Sequence, residues 1–187
     1  MTPKKLWLTL AAVIIGSFAV LCFYGVEIFR EMPPFPNKVA TESGETLFEG
    51  QDIKDGQNVW QSIGGQTVGS VWGHGAYVAP DWTADYLHRE SELMLAELAQ
   101  KDGKVYAQLA EADKAKYKVL LQEELRKNTY DAQTGVITFS DMRARVAKQL
   151  HNYYAKLFLN DPSMAKLRNA YAMREKSVEA VGGLSAE

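Results

Sequence analysis

The chain has 187 residues, which is enough for one domain and an appendage. Of these residues 47% are hydrophobic and 24% are charged, which is the composition of a folded protein. Its formal charge is −2, and acidic residues also outnumber basic ones beyond the first thirty positions, which argues against binding to nucleic acid. The single cysteine, Cys22, lies within an apolar run. The rest of the chain therefore has no residue for a disulfide, a thiolate metal site or a cysteine nucleophile.

The first element along the chain is an uncharged run from Leu6 to Val26. A helix of that length is roughly 31 Å long at about 1.5 Å per residue, which matches the hydrocarbon core of a lipid bilayer. A cleaved signal peptide has a shorter apolar region and a small-residue cleavage site, and this sequence has neither. Lys4 and Lys5 precede the run, so the positive-inside rule predicts a cytoplasmic amino terminus and a periplasmic domain, anchored by one helix in a bacterial inner membrane.

Composition divides the chain into four segments. Residues 1–30 are predicted to form the transmembrane helix with a short cytoplasmic start, and residues 31–40 a proline-rich extended spacer. Residues 41–175 are predicted to form the domain. Residues 176–187 are small and polar, which is typical of a linker or tail.

The domain is predicted to be mainly α-helical with a short hairpin or extended segment. The apolar spacing between Thr46 and Ile63 predicts one short helix or two helical turns, and the glycine-rich stretch from Gln66 to Pro80 predicts a structured loop. Stretches with helical periodicity and capping residues follow at about 81–100, 112–128, 141–159 and 162–175. The stretch TYDAQTGVITFS predicts a hairpin with Thr134 and Gly135 in its turn.

Three helices have a predicted buried face. In 81–100, charged residues that include Glu90 are expected to lie away from the apolar side. The residues expected to face inward are Trp82, Leu87, Leu93, Met94 and Leu98 in the first helix, Tyr117, Leu120, Leu121 and Leu125 in the second, and Val146, Leu150, Tyr154 and Leu157 in the third.

Three histidines, His74, His88 and His151, are candidates for binding a metal or haem. Zinc sites usually contain close local ligand pairs and covalent haem attachment needs C-x-x-C-H, and the sequence has neither. It also has no hydrolase G-x-S-x-G motif and no phosphate-binding glycine loop. His74, between Gly73 and Gly75, is therefore interpreted as a structural loop residue, while a non-covalent haem held by His74 and His88 stays open as an alternative.

One long segment resembles a known family. The stretch GQNVWQSIGGQTVGSVWGHGAYVAPDWTADYLHRE resembles the amino-terminal part of quinol-dependent nitric oxide reductases, and NTYDAQTGVITFSD and LRNAYAMRE also fit the pattern of that family. The resemblance extends from the anchor to about Glu175. It implies a first transmembrane helix followed by a domain that is similar in fold to a c-type cytochrome but has lost the cysteines that attach haem.

The resemblance also implies what the rest of the enzyme supplies. In the family, a catalytic portion with many further membrane helices holds haem b, haem b3 and non-haem iron, takes two electrons from quinol and reduces two NO to N2O and water. We therefore expect no catalytic, cofactor-binding or metal-binding residue in this chain and no activity of the chain alone. The chain is then a fragment, a truncated reading frame or one half of a split enzyme, with its tail leading toward a second transmembrane helix.

Under this interpretation the segment has a structural or docking role toward the catalytic portion. The candidate contacts between the two parts are Trp72, His74, Tyr77 and Trp82, although an aromatic cluster of this kind is also typical of a core. Two other interpretations stay open. One is a free-standing, single-pass membrane-anchored structural or assembly protein, and the other is an electron carrier that binds haem non-covalently.

Overall fold

A computed structural model describes residues 2–73 and 80–173, and the chain divides into two compact units, Met1–Phe35 and Pro36–Glu187. The first unit contains one helix, α1 (Pro3–Arg30), with proline in its first turn and none of its residues buried. Its 28 residues give a length of roughly 42 Å. By length and composition α1 is able to cross a membrane.

The second unit contains a four-stranded sheet. Its strands lie in the order β2-β1-β4-β3 and are β1 (Lys38–Thr41), β2 (Thr46–Glu49), β3 (Tyr130–Asp131) and β4 (Val136–Phe139). β1 pairs antiparallel with β2 and parallel with β4, while β3 and β4 pair antiparallel.

Only the β3–β4 hairpin of this sheet was predicted, and the structure confirms it. The Asp131 carboxylate accepts hydrogen bonds from Gln133 N at 2.9 Å and Thr134 Oγ1 at 2.7 Å, and Gly135 takes a left-handed φ of +69°. β1 and β2 were missed, because they occupy the end of the predicted spacer and the start of the predicted helix over 46–63. A strand of four residues has too short an alternating pattern to stand out, and β1 is stabilised by a distant strand.

The fold is mainly α, as predicted. The helices of the second unit are α2 (Gly50–Ser62), α3 (Trp82–Lys101), α4 (Glu111–Arg126), α5 (Asp141–Phe158) and α6 (Ala165–Ala170), with 3-10 turns at Gly65–Thr67, Tyr106–Gln108 and Pro162–Met164.

Ser140 caps α5 by accepting a hydrogen bond from Arg143 N at 3.3 Å. The predicted helix over 162–175 is shorter in the structure, because α6 ends at Ala170 and Ala172 turns the chain with a φ of +52°.

The core lies between α3, α4 and α5. Its central residues are Met94, Leu121, Met142, Val146 and Leu150. A second cluster is centred on Val68, Trp82, Leu157 and Met173, and it joins the segment before α3 to the end of α5. These two clusters confirm most of the predicted buried faces.

Three predictions of side-chain position were wrong. Glu90, expected on the charged side of α3, is fully buried, whereas Leu87 and Leu120 are 49% and 37% exposed. On α3 the buried face follows Trp82, Glu90 and Met94, at spacings of eight and four residues. Glu90 lies on this face because Arg143 on α5 pairs with it there.

Candidate docking site at the Trp72 loop

Ser70 and Asp81 flank residues 71–80, which the sequence predicts to lie in a loop and which we call the Trp72 loop. Ser70 N donates to Pro80 O at 3.2 Å and Trp82 N donates to Ser70 O at 2.7 Å, which makes a short parallel bridge. Ser70 Oγ also donates to Asp81 Oδ2 at 2.7 Å. The two ends of the loop are therefore fixed to each other by both backbone and side-chain bonds; we call this Ser70–Asp81 arrangement the loop clamp.

Asp81 has a second function as the N-cap of α3. Its Oδ1 accepts from Ala84 N at 2.9 Å, and its Oδ2 accepts from Gly73 N at 2.7 Å in addition to the Ser70 hydroxyl. These donors, with Ala84 N–H first and then Ser70 and Gly73, hold the pKa of Asp81 below its ordinary value of 3.8. One carboxylate thus fixes the start of α3, the base of the loop and the backbone beyond Trp72.

Trp72 projects from this clamped backbone. Its φ is +63°, in the left-handed region that a bulky side chain rarely adopts, and its backbone N donates to Thr83 Oγ1 at 3.2 Å. The residue is 81% exposed. A large amphipathic ring on a constrained backbone loses little conformational entropy on association, which is typical of the aromatic anchors of protein interfaces.

Trp82, by contrast, lies inside the domain and is 8% exposed. Its ring lies 5.2 Å from that of Phe158 and 5.9 Å from that of Tyr171, measured between centroids. A Cβ atom at Gly69 would lie 2.0 Å from Trp82 Nε1, so only glycine fits there. Trp82 is therefore a core residue that holds the start of α3 from within.

Charged groups between α3 and α5 fix these two helices to each other. Arg143 Nε donates to Glu90 Oε1 at 2.8 Å, and Asp85 Oδ2 accepts from Arg89 Nε at 2.9 Å and from Tyr154 OH at 2.8 Å. Burial, followed by the bond to Asp85, raises the pKa of Tyr154 and keeps its phenol neutral. The network is structural, and it sets the position of the α3 N-terminus that carries the loop clamp.

The structure describes two of the four predicted contact residues, and they have different environments. Trp72 is on the surface and Trp82 is in the core, while His74 and Tyr77 lie outside the described residues. Sequence reasoning identified Asp81 only as a helix start. Its bonds back to Ser70 and Gly73 cross the loop, and no fixed sequence spacing indicates them.

The two remaining histidines lie on the surface. His88 Nε2 is 3.3 Å from Glu92 Oε1, with both side chains largely in solvent, and His151 is exposed on α5. Within residues 2–73 and 80–173, no group of three or more His, Cys, Asp or Glu side chains is arranged to hold a metal ion.

Comparison with known proteins gives a result that agrees with this architecture. The family model for the cytochrome c-like domain of NorB, a subunit of nitric oxide reductase, matches residues 36–184. The match begins at the first residue of the second unit and covers well over half of the chain. Among curated proteins, none matches the chain significantly. The chain belongs to the NorB family of nitric oxide reductase subunits, and its second unit is the cytochrome c-like domain of that family.

Proposed function

We propose that this chain is the membrane-anchored amino-terminal part of a quinol-dependent nitric oxide reductase, and that its domain docks on the catalytic portion without carrying a redox centre. The observation that carries the proposal is the family match over residues 36–184. The choice of quinol as electron donor rests on the resemblance of the segment around VWGHGAYVAPDW to the quinol-dependent enzymes.

The chemistry of the domain supports a haem-free role. Residues 36–187 include no cysteine to form a thioether bond to haem. Trp60 of α2 and Trp82 of α3 both pack against Phe158 of α5, with ring centroids 6.3 and 5.2 Å apart. None of these three aromatic side chains is a ligand for haem iron, so we assign no electron-transfer step to them.

The chemistry of the reaction supports the proposed docking role. Reduction of two NO to N2O and water consumes two electrons and two protons, and it needs redox cofactors that bind substrate and transfer electrons. In our proposal those cofactors, haem b, haem b3 and non-haem iron, belong to the catalytic portion. This chain contributes the anchor helix and the exposed Trp72, whose indole packs against the catalytic portion.

Co-expression tests this role. The full chain, tagged and expressed with the catalytic portion, should be recovered as a complex in mild detergent, and Trp72→Ala should weaken retention at least about 10-fold, because buried interface tryptophans are typical hot spots. Val105→Ala, at another exposed apolar residue (59%), is the matched control and should have no effect. Quinol-driven NO consumption by this chain alone, or an equally active catalytic portion without it, contradicts the proposal.

Fractionation tests the membrane topology that we propose. Lys4 and Lys5 before α1 support a cytoplasmic amino terminus, so the chain should stay with membranes after an alkaline wash. Protease added outside spheroplasts should digest the domain. Protection of the domain, or release of a protein that has lost α1, contradicts this topology.

A further inference from the structure

An open cleft of about 810 Å³ lies between α2, β2 and α5, away from the loop clamp. Leu47 and Phe48 of β2, Asp52 and Asp55 of α2, and Lys148 and His151 of α5 line it, together with smaller neighbours. We call it the α2 cleft. Its volume lies in the range of ligand-binding sites in proteins, and its open form also admits a peptide segment.

Helix α2 leaves this cleft open because its first half packs against little. Residues 51–58 are all exposed, including Ile53 at 39%, and only Val59 and Trp60 further along are half-buried. A Cβ atom built at Gly56, which faces the cleft, meets nothing within 4 Å. Most helices in proteins are stabilised by packing an amphipathic face, so the two exposed turns of α2 provide a surface for a partner.

The charges of the cleft are predominantly negative. Lys148 Nζ lies 2.7 Å from Glu45 Oε1, so this lysine is already paired. Asp52 accepts a hydrogen bond from Glu49 N at 2.7 Å, and Asp55 accepts one from the Gln51 side-chain amide at 2.8 Å, and both of these donors are neutral. Asp52 and Asp55 are three residues apart on one helix and therefore point to the same side, where they attract cations.

Part of the cleft lining is apolar. Leu47 and Phe48 are half-buried, and Ala147 of α5 is 3% exposed. β2 is an outer strand of the sheet, and an extended peptide binds readily along such a strand. The cleft therefore presents both apolar and charged side chains, as protein interfaces commonly do.

We propose that the α2 cleft binds a basic peptide segment of a partner protein, with lysine or arginine side chains at Asp52 and Asp55 and an apolar side chain on Leu47 and Phe48. The negative lining selects against anionic lipid, and the chain itself is acidic, with a formal charge of −2, which disfavours a second copy as the occupant. This inference is independent of the electron donor of the enzyme.

The test uses the full chain in nanodiscs of zwitterionic lipid and three synthetic peptides, Ac-KFKLK-NH2, Ac-KSKSK-NH2 and Ac-EFELE-NH2. The first should bind with a measurable Kd below about 1 mM, and the second and third at least 5-fold more weakly, because they lack the apolar and the cationic groups respectively. The double substitution Asp52→Asn and Asp55→Asn should weaken binding of the first peptide at least 5-fold. Both substitutions keep a side-chain acceptor, and near-UV circular dichroism checks the fold.

The matched control removes the same charge elsewhere, with Glu92→Gln and Glu111→Gln, and should leave the affinity unchanged. A benzophenone-labelled Ac-KFKLK-NH2 should cross-link to residues of α2 and β2, which locates the site even if the double variant fails to fold. Equal weakening in the control, equal binding of the serine peptide, cross-linking elsewhere, or full competition by spermine overturns the proposal. Dimerisation of the chain that buries the cleft also overturns the proposal.

Discussion

At the scale of single residues, Asp81 shows how one side chain combines several functions. Its two oxygens accept from Ala84 N, Gly73 N and the Ser70 hydroxyl, so helix start and loop base depend on the same negative charge. Each donor stabilises the ionised form, which is why the pKa of Asp81 is lowered. Loss of the charge therefore affects the helix cap and the loop clamp together.

Acid should weaken the loop clamp through this group. Because the folded state holds the pKa of Asp81 below 3.8, its contribution to stability is complete above that value and is lost as the pH falls through the lowered pKa. Asp81→Asn should lower the thermal midpoint at neutral pH by a few degrees, and the difference from the wild type should shrink as the pH is lowered below about 4. Thermal unfolding scans across that range check this. A difference that stays constant with pH contradicts the assignment.

Two glycines should respond in opposite directions to alanine. At Gly69 the added Cβ would meet the Trp82 indole at 2.0 Å, so Gly69→Ala should destabilise the domain by about 3 kcal/mol or more. At Gly56, within α2 and in open space, the same change should stabilise it by about 0.5–1 kcal/mol, because alanine favours the helix. Denaturant unfolding of both variants measures the free energies. Equal effects at the two positions contradict the packing around Trp82.

At the scale of elements, the contact of α3 with α5 depends on a buried ion pair whose two members are unequally exposed. The side chain of Glu90 is 1% exposed and that of Arg143 is 23% exposed. Glu90 Oε2 also has no hydrogen-bond partner in the described structure. Without Arg143, the Glu90 carboxylate would be a buried charge with no partner, whereas without Glu90 the Arg143 guanidinium would still reach water.

The difference in exposure between Glu90 and Arg143 predicts which of the two substitutions lowers the free energy of unfolding more. Arg143→Met leaves a buried, unpaired carboxylate and should cost about 3–5 kcal/mol, whereas Glu90→Met leaves a cation with access to water and should cost less. The double variant should be more stable than Arg143→Met alone, since it removes the unpaired charge. Urea unfolding of the three variants provides the comparison. A larger loss in Glu90→Met than in Arg143→Met contradicts the prediction.

Sequence patterns predicted the helices better than the strands. The helices were predictable because they extend over many turns, and residues such as Val146, Leu150 and Leu157 repeat at helical spacing and are buried. β1 was not, since it has only four residues and one of its two partners in the sheet, β4, lies far away along the chain. Glu90 was misplaced for a similar reason: a buried charge follows the position of its partner, Arg143, and periodicity does not contain that information.

Only part of the geometry around Trp72 follows from the sequence, and the docking role of this site stays a prediction. The aromatic and glycine-rich composition of residues 71–82 indicated a special loop, and the structure places Trp72 at its surface. Whether a tryptophan faces solvent or core depends on neighbours such as Gly69 and Phe158, which the local sequence does not identify. The bonds of Asp81 across the loop are likewise visible only in three dimensions.

At the scale of the whole molecule, the chain consists of an anchor and a domain that has its own core. Both hydrophobic clusters lie within Pro36–Glu187, and the family match begins at residue 36. Residues 36–187 expressed alone should therefore fold and unfold cooperatively, with a thermal midpoint within a few degrees of the full chain in detergent. Calorimetry of both proteins tests this. A truncated protein without a cooperative transition contradicts the independence of the domain.

The parallel pairing of β1 with β4 has a consequence for biosynthesis. Asn37, just before β1, donates its side-chain amide to Thr134 O, 97 residues further along the chain. At about 5–20 residues per second, the ribosome needs roughly 5–20 s to make the intervening segment. During that time β1 has only β2 as a neighbour in the sheet, and closing so large a loop makes the final pairing slow. Helix α1 is made first and is thus complete while the domain is still incomplete. In the membrane topology that we propose, insertion of α1 therefore precedes folding of the domain.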